Sequence, residues 1–380
     1  MIKENKKILV LVNSDWFFLM HIFPIINSLK RDGLDIYILT SNTGKKQEII
    51  DHGFYFEDLK IDRKGVNIFL ELKTILNIYK VYKKVQPNIV HQITIKPIIY
   101  GSVVSRFLNI KTINTVCGLG YSFVSPLNNL NNYIALLGYR FALKYKKSFH
   151  FFENKNDRDF FVKRKIIIPN IKNQVINGVG ANLEKYFVSQ IEESNDQKIV
   201  IALASRMLWE KGVKEFVEAS KLLYRKYNGK IEFRLYGKID NGNPGAVPQE
   251  YLESIEIKSY IKWFGFENDM FSVFEKSDII VLPSFYGEGC PMVLMEACAM
   301  GLPIITTDSV GCRECIDDGV NGFMIPIKSV DKLVEALEKV ILDKNLRTKM
   351  GLASRDKAEK DFDQEQIIKE YSKVFNRMLK

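Results

Sequence analysis

The chain of 380 residues is 46% hydrophobic and 26% charged, an ordinary globular composition, and it is long for one core, so two domains are expected. Its five cysteines (Cys117, Cys290, Cys298, Cys312, Cys315) are few and unpatterned, which excludes a disulfide scaffold and points to a reducing cytoplasm. Charge is lopsided: residues 1–190 carry 28 Lys and Arg against 14 Asp and Glu, leaving 27 against 31 for the rest.

In chain order, the apolar stretch 8–29 follows a basic start. Asn13, Asp15, His21, Pro24 and Asn27 interrupt it, so it reads as neither a signal peptide nor a spanning helix. A soluble or peripheral protein is expected. Strands are predicted at 7–13, 35–40, 89–92, 111–116, 149–153 and 174–177, with helices between them, notably at 68–85. Three segments follow strand carboxyl ends: Asn13-Ser-Asp-Trp-Phe-Phe18, His91-Gln-Ile-Thr-Ile-Lys96 and Cys117-Gly-Leu-Gly-Tyr121. Ligands of open α/β sheets bind at such ends, which makes Asp15, His91, Lys96 and Gly118 candidate contacts. A lone histidine such as His91 also reads as a satisfied structural residue.

Between Lys60 and Lys147, 14 basic residues are set against only Asp62 and Glu71. Such a surface attracts anionic lipid headgroups. Nucleic acid is the competing anion, but no helix-turn-helix, zinc finger or RNP-type motif accompanies the charge. The segment 130–147 is helical in pattern, apolar over much of its surface and basic at its end. It suits an interfacial helix, and equally a core helix packed on the sheet. Asp157-Arg-Asp159 is formally an Asp-x-Asp metal pair, yet it follows Asn154 and begins a helix-like stretch, where acidic residues complement the dipole. The polar stretch 189–198 lacks apolar periodicity and is read as the linker, giving domains at 1–190 and 191–360 and a final helix in 361–380.

In the second half, strands at 198–204, 231–236, 261–264, 279–283, 303–307 and 322–325 alternate with helices beginning near Gly212, Gln249, Asp269 and Pro291. Helices at 346–360 and 364–379 close the chain. Continuous apolar strands spaced by helices imply parallel sheets covered on both faces. The most informative segment is 284–303, which holds Glu288 and Glu296 eight positions apart. It joins a buried strand to a helix, so free N–H groups and a positive helix dipole lie at the strand's carboxyl edge. Gly287 and Gly289 allow close backbone approach, and both carboxylates are acceptors suited to sugar hydroxyls. Arg206 and Lys211 follow the strand 198–204 and flank the next helix, where two cations can converge on one diphosphate. Cys312-x-x-Cys315 has no second pair or nearby His to complete a structural zinc site.

Glu288-x7-Glu296 with its flanks resembles the signature of the family-4 retaining glycosyltransferases, nucleotide-sugar enzymes of GT-B fold. The run from Ala204 to Phe216, with Arg206 and Lys211 as its basic pair, is similar to the family's phosphate-binding segment. Gly311-Cys-Arg-Glu314 and Asn321-Gly322 resemble its closing turn. The resemblance spans nearly the whole chain and is most specific over 175–325. It implies two Rossmann-like parallel-sheet domains facing across a cleft, the first membrane-facing and acceptor-binding, the second binding the nucleotide sugar.

Carried over residue by residue, the resemblance puts Glu288 by the donor sugar and Glu296 on the ribose. Gly289, Cys290, Pro291, Met292 and Val293 would lie along the diphosphate and sugar, though Pro291 offers no N–H. The base would sit near Phe264 and Gly265. Glu288, Arg206 and Lys211 would be the catalytic set; Asp15, His91, Lys96 and Gly118 would be acceptor contacts. Many relatives carry a glycine pair in the first loop and a histidine in the third, which this chain lacks. No metal or other cofactor is expected beyond the nucleotide-sugar donor.

The segment 205–222 and the Gly-Leu-Gly at 118–120 look most like bacterial N-acetylgalactosaminyltransferases that extend undecaprenyl-diphosphate-linked glycans. The expected reaction is transfer of a hexose or N-acetylhexosamine, best matched by GalNAc from UDP-GalNAc, to a lipid-diphosphate-linked sugar. Its setting would be O-antigen, capsule or glycoprotein glycan assembly at the cytoplasmic membrane face. The alternative is a UDP-sugar 2-epimerase of the same fold. A nicotinamide oxidoreductase would need Gly-x-Gly-x-x-Gly where this chain has Asn13-Ser-Asp-Trp-Phe-Phe18.

Overall fold

The computed structural model describes residues 5–61, 67–119, 130–169, 171–187, 198–227, 229–256 and 261–380. The expected linker lies outside them apart from Lys198, as does the end of the third loop, Gly120-Tyr121. The chain divides into two compact units, Met1–Val179 with Glu365–Lys380, and Gly180–Gln364.

The first unit is built on a seven-stranded parallel sheet of β1 (Lys7–Leu11), β2 (Asp35–Thr40), β3 (Tyr55–Asp58), β4 (Ile89–Ile93), β5 (Lys111–Val116), β6 (Ser148–Phe152) and β7 (Lys172–Val175), in the order β3-β2-β1-β4-β5-β6-β7. Residues 8–11 of β1, and all of β4 and β6, are buried, as β-rich runs covered on both faces must be. The edge strand β3 had no sequence signal, because its four residues are exposed or half-buried and carry no apolar run. The strand predicted at 7–13 stops at Leu11, and Ser14 then caps a short helix. The last helix, Gln364–Leu379, lies on this sheet. Tyr371 packs on Phe151 at 4.1 Å, Phe375 on His91 at 5.4 Å, and Lys6 and Lys111 donate to the terminal carbonyls of Leu379 and Met378. Cations at a helix carboxyl end satisfy its orphan acceptors and its dipole.

The second unit carries a six-stranded parallel sheet of β8 (Ile199–Ala204), β9 (Ile231–Tyr236), β10 (Ile261–Trp263), β11 (Ile279–Leu282), β12 (Ile304–Thr307) and β13 (Gly322–Ile325), ordered β10-β9-β8-β11-β12-β13. The order reverses between β8 and β11, as it does between β1 and β4 in the first unit. Loops leaving two such strands run to opposite faces, which opens a crevice at their carboxyl ends. Two parallel α/β sheets of this kind are what the resemblance to GT-B glycosyltransferases implies. Among the described residues, no helix is long and apolar enough to cross a membrane.

Candidate functional site

Arg206 and Lys211 lie in the loop after β8, and Glu288 in the loop after β11, so the second unit's reversal point brings the three together. Lys211 is ion-paired with Glu288, the two side chains being only 11% and 12% exposed. Ser284 Oγ donates to Glu288 Oε1 at 3.0 Å. Arg206 Nη1 donates to Asp240 Oδ2 at 2.7 Å. Tyr286 presents its ring to both cations, 5.7 Å from the Arg206 guanidinium and 5.2 Å from the Lys211 ammonium. Asp240, Ser284 and Tyr286 were missed as site residues. Ser284 and Tyr286 sit inside the informative segment, but nothing in the sequence ties Asp240 to Arg206.

Backbone contacts lock the loops. Glu210 O accepts from Phe285 N at 2.8 Å and from Ser284 Oγ at 3.2 Å. Ser284 O accepts from Thr307 Oγ1 and from Ser309 Oγ, the latter at 2.9 Å. Gly212 has φ +80°, and a Cβ there would strike the Pro283 carbonyl oxygen; Gly311 has φ +84°, and a Cβ would meet Gly289 O at 2.6 Å and Glu288 Cβ at 2.7 Å. Only glycine fits both the left-handed backbone and this closeness. The three loops after β8, β11 and β12 therefore close onto one another around the Glu288 backbone.

The helix Met292–Ala299 starts from this loop with Pro291 at its cap, where no side chain caps it. Its first internal bonds run from Leu294 and Met295 to Pro291 O. The N–H groups of Met292 and Val293 precede those bonds and have no intrahelical acceptor, the arrangement that binds anions at helix starts. Gly289 and Cys290 lead into it, with Cys290 buried. Beyond β10, Phe264 is 42% exposed and stacks on Tyr236 at 4.9 Å. Gly265, at φ +70°, accepts from Gly237 N. An exposed aromatic face at a strand's carboxyl end can stack a planar base.

Glu296 lies one turn into the helix, buried and hydrogen-bonded by Tyr186. Burial raises its carboxyl from the ordinary 4.5 to about 7, with Tyr186 and Lys185 opposing the rise. Because the folded value lies above the unfolded one, ionisation opposes folding, and stability falls as pH rises from about 4.5 through about 7. Glu296→Gln should therefore exceed the wild type in stability by roughly 3 kcal/mol at pH 8, and the gap should close by pH 5. Urea unfolding at the two pH values checks this; a gap that does not change with pH would contradict it.

The first-unit candidates are placed differently. Asp15 is fully buried and accepts from Trp16 N, Thr43 N, Thr43 Oγ1 and Lys45 N, so it ties two loops together. His91 is fully buried, bonded through Nε2 to Thr115 Oγ1 at 2.8 Å, and burial lowers its pKa to about 3. It is a neutral core residue in this structure, with no surface to offer a ligand. Lys96 is ion-paired with Glu71. Gly118 follows β5 with φ +79°.

Among the described residues, no group of three or more His, Cys, Asp or Glu could hold a metal ion. Asp157 is held by the Asn154 cap, and Asp159 pairs with its neighbour Arg158. Cys290, Cys298, Cys312 and Cys315 are buried, with Cys290 and Cys315 sulfurs 3.5 Å apart. Burial pushes the Cys298 thiol up to about 12 and the Cys312 thiol to about 11, as for packing thiols.

Two cations, a helix start and a poised carboxylate at a reversal point can hold a diphosphate ester and the sugar attached to it. Residues 185–357 match the family described as Glycosyl transferases group 1, and residues 7–151 match Glycosyl transferase 4-like. The chain belongs to the glycosyltransferases of GT-B fold. Its first unit is of the 4-like kind and its second of the group 1 kind.

Among its relatives is the N,N'-diacetylbacillosaminyl-diphospho-undecaprenol alpha-1,3-N-acetylgalactosaminyltransferase of Campylobacter jejuni, 28% identical over 94% of this chain and 95% of the relative. Another is the UDP-Gal:alpha-D-GlcNAc-diphosphoundecaprenol alpha-1,3-galactosyltransferase of Escherichia coli, 24% identical over 91% of this chain and 89% of the relative. The crystal structure of Anabaena Alr3699/HepE in complex with UDP-glucose superposes with a TM-score of 0.78 at 16% identity, covering 98% of this chain and 99% of that one.

Proposed function

We propose that this protein is a retaining, metal-independent hexosyltransferase that moves GalNAc from UDP-GalNAc to an undecaprenyl-diphosphate-linked sugar in O-antigen, capsule or glycoprotein glycan assembly. The observation that carries this reading is the Lys211–Glu288 pair beside Arg206 at the uncapped start of helix Met292–Ala299. The donor diphosphate would lie between the cations and the Met292 and Val293 N–H groups, with Gly289 to Pro291 along it. Glu296 would accept from the ribose hydroxyls, and Phe264 with Gly265 would line the base. The proposed sugar follows the Campylobacter jejuni relative alone, and the proposed lipid follows both undecaprenol-linked relatives.

The chemistry follows from those placements. Arg206, Lys211 and the helix start stabilise the charge that develops on the departing diphosphate without needing a metal ion. Glu288 lies beside the sugar, where its charge favours the positive ring of the transition state. The acceptor attacks from the leaving group's own face, and the leaving phosphate takes the acceptor's proton, so configuration is retained. UDP release from a panel of UDP-sugars, with and without undecaprenyl-diphosphate-linked monosaccharide, tests this. UDP-GalNAc turnover that depends on the acceptor is expected; equal turnover without acceptor would point to a hydrolase or epimerase.

We also propose that the first unit rests on an anionic membrane surface from the cytoplasmic side. Helices Ile68–Val85, Ile95–Leu108 and Leu130–Leu143 lie side by side, joined by Tyr79 on Phe107 at 5.8 Å and Arg106 on Phe141 at 4.0 Å. They leave Phe69 83%, Phe107 78% and Leu76 60% exposed. Lys73, Lys80, Lys83, Lys146 and Lys147 are exposed near them, and the three helices hold one carboxylate, Glu71, which Lys96 engages. Apolar side chains among lysines fit a lipid interface. Binding to phosphatidylglycerol vesicles should weaken with salt and fall at least about 10-fold in a Phe69→Glu/Phe107→Glu variant; equal binding by that variant would exclude this face.

A further inference from the structure

We propose that Asp240, braced by Asn243, is a positioning residue that aims the Arg206 guanidinium at the donor's diphosphate. Arg206 Nη1 donates to Asp240 Oδ2 at 2.7 Å, and Asn243 Nδ2 donates to the same oxygen at 3.0 Å. Asn243 Oδ1 in turn accepts from Gly245 N at 3.1 Å. The carboxylate is therefore fixed from within its own turn as well as by the arginine. The held guanidinium stands beside the site's second cation: it lies 5.7 Å from the Tyr286 ring, and the Lys211 ammonium lies 5.2 Å from the same ring.

The turn that carries Asp240 is stapled to the loop that carries Arg206. Met207 N donates to Lys238 O at 3.0 Å, Val247 N to Met207 O at 3.0 Å and Trp209 N to Gly245 O at 2.8 Å. Met207 also bridges Ile239, and Leu208 bridges Ala246. Two segments, one leaving β8 and the other leaving β9, are thus joined along their length, and Asp240 is carried on the joint. A carboxylate held this way sets the direction of the arginine rather than following it. Spacing in the sequence hides the arrangement, because 34 residues separate Arg206 from Asp240.

The sign of the effect follows from the shape of arginine. A guanidinium carries five N–H donors in one rigid plane, so a grip on Nη1 orients the other nitrogens without using them. Losing that grip restores rotamer freedom to a long side chain that is 31% exposed, which is worth about 10–30-fold in affinity. Against this, the Asp240 carboxylate repels a phosphate on the far side of the guanidinium, across solvent, by about 3-fold. Positioning outweighs repulsion, and Asp240 tightens donor binding although its charge has the donor's sign.

This inference rests on the transferase reading, so the test separates the two. UDP is titrated calorimetrically in EDTA into the wild type, Asp240→Ala, Asn243→Ala, Arg206→Ala and Arg206→Ala/Asp240→Ala. Asp240→Ala should weaken UDP about 10-fold and Asn243→Ala about 3-fold, while uridine, which has no diphosphate, binds as to the wild type. In the Arg206→Ala background the Asp240 substitution should cost nothing, because the group it aims is gone. An equal loss in both backgrounds would make Asp240 a structural residue only, and an Asp240→Ala protein that binds UDP as tightly as the wild type or tighter would make it a competitor of the diphosphate. Either result overturns the proposal. If Asp240→Ala does not fold, Asn243→Ala made in the wild type and in Arg206→Ala decides in the same way. If the wild type does not bind UDP, the transferase reading is at fault, and inorganic pyrophosphate takes the place of UDP in the same cycle. An Asp240 effect that depends on Arg206 then supports the positioning role, and an absence of pyrophosphate binding overturns it.

Discussion

Glu288→Gln is expected to lower kcat for sugar transfer by about 10²–10³-fold while UDP binds as tightly as to the wild type or tighter. The substitution keeps the shape and the Ser284 hydrogen bond but removes the charge beside the sugar, and losing a preorganised electrostatic contact of this kind costs about 10²–10³ in kcat. UDP should not suffer, because in the free protein Glu288 occupies Lys211. Without that competitor the ammonium is wholly available to the diphosphate. A variant that transfers at the wild-type rate would mean that Glu288 is not beside the reacting sugar.

Lys211→Ala should be the more damaging change to the molecule as a whole. It strands the Glu288 carboxylate, whose side chain is only 12% exposed, and removing one partner of a buried pair costs about 3–5 kcal/mol. It also removes a cation from the leaving diphosphate, so kcat should fall about 10²–10³-fold. The Lys211→Ala/Glu288→Gln double variant separates these effects. It should regain most of the stability and none of the activity, since the two residues are ion-paired in the fold and the proposed mechanism uses both. Urea unfolding and single-turnover transfer measured together check this, and additive stability losses would contradict the coupling.

The second unit was the more legible half. Its strands are short runs such as Ile-Ile-Val-Leu in β11, buried on every face, and its helices start at or within one residue of Gly212, Gln249, Asp269 and Pro291. Local chemistry decides two of those starts: proline fixes its own φ at 291, and glycine at 212 takes a left-handed angle closed to other residues. The motifs set Lys211 and Glu288 around one donor, but nothing in the sequence paired the two, which lie 77 residues apart. In the first unit, sequence singled out polar residues at strand ends, and Asp15 and His91 turned out to be buried inside the fold's own hydrogen bonding. A strand-end position can be read from a run of apolar residues. Whether its side chain turns into the core depends on the turn that follows, as at Asn13, where the strand ends two residues early.

The central claim is that the loops after β8 and β11 hold the donor's diphosphate without a metal. Its most direct test is calorimetric titration with UDP in EDTA for the wild type, Lys211→Ala and Glu288→Gln. UDP should bind the wild type in EDTA, bind Lys211→Ala about 10–100-fold more weakly, and bind Glu288→Gln at least as tightly as the wild type. Equal UDP affinity in the wild type and Lys211→Ala, or binding that appears only when a divalent cation is added, would contradict the account.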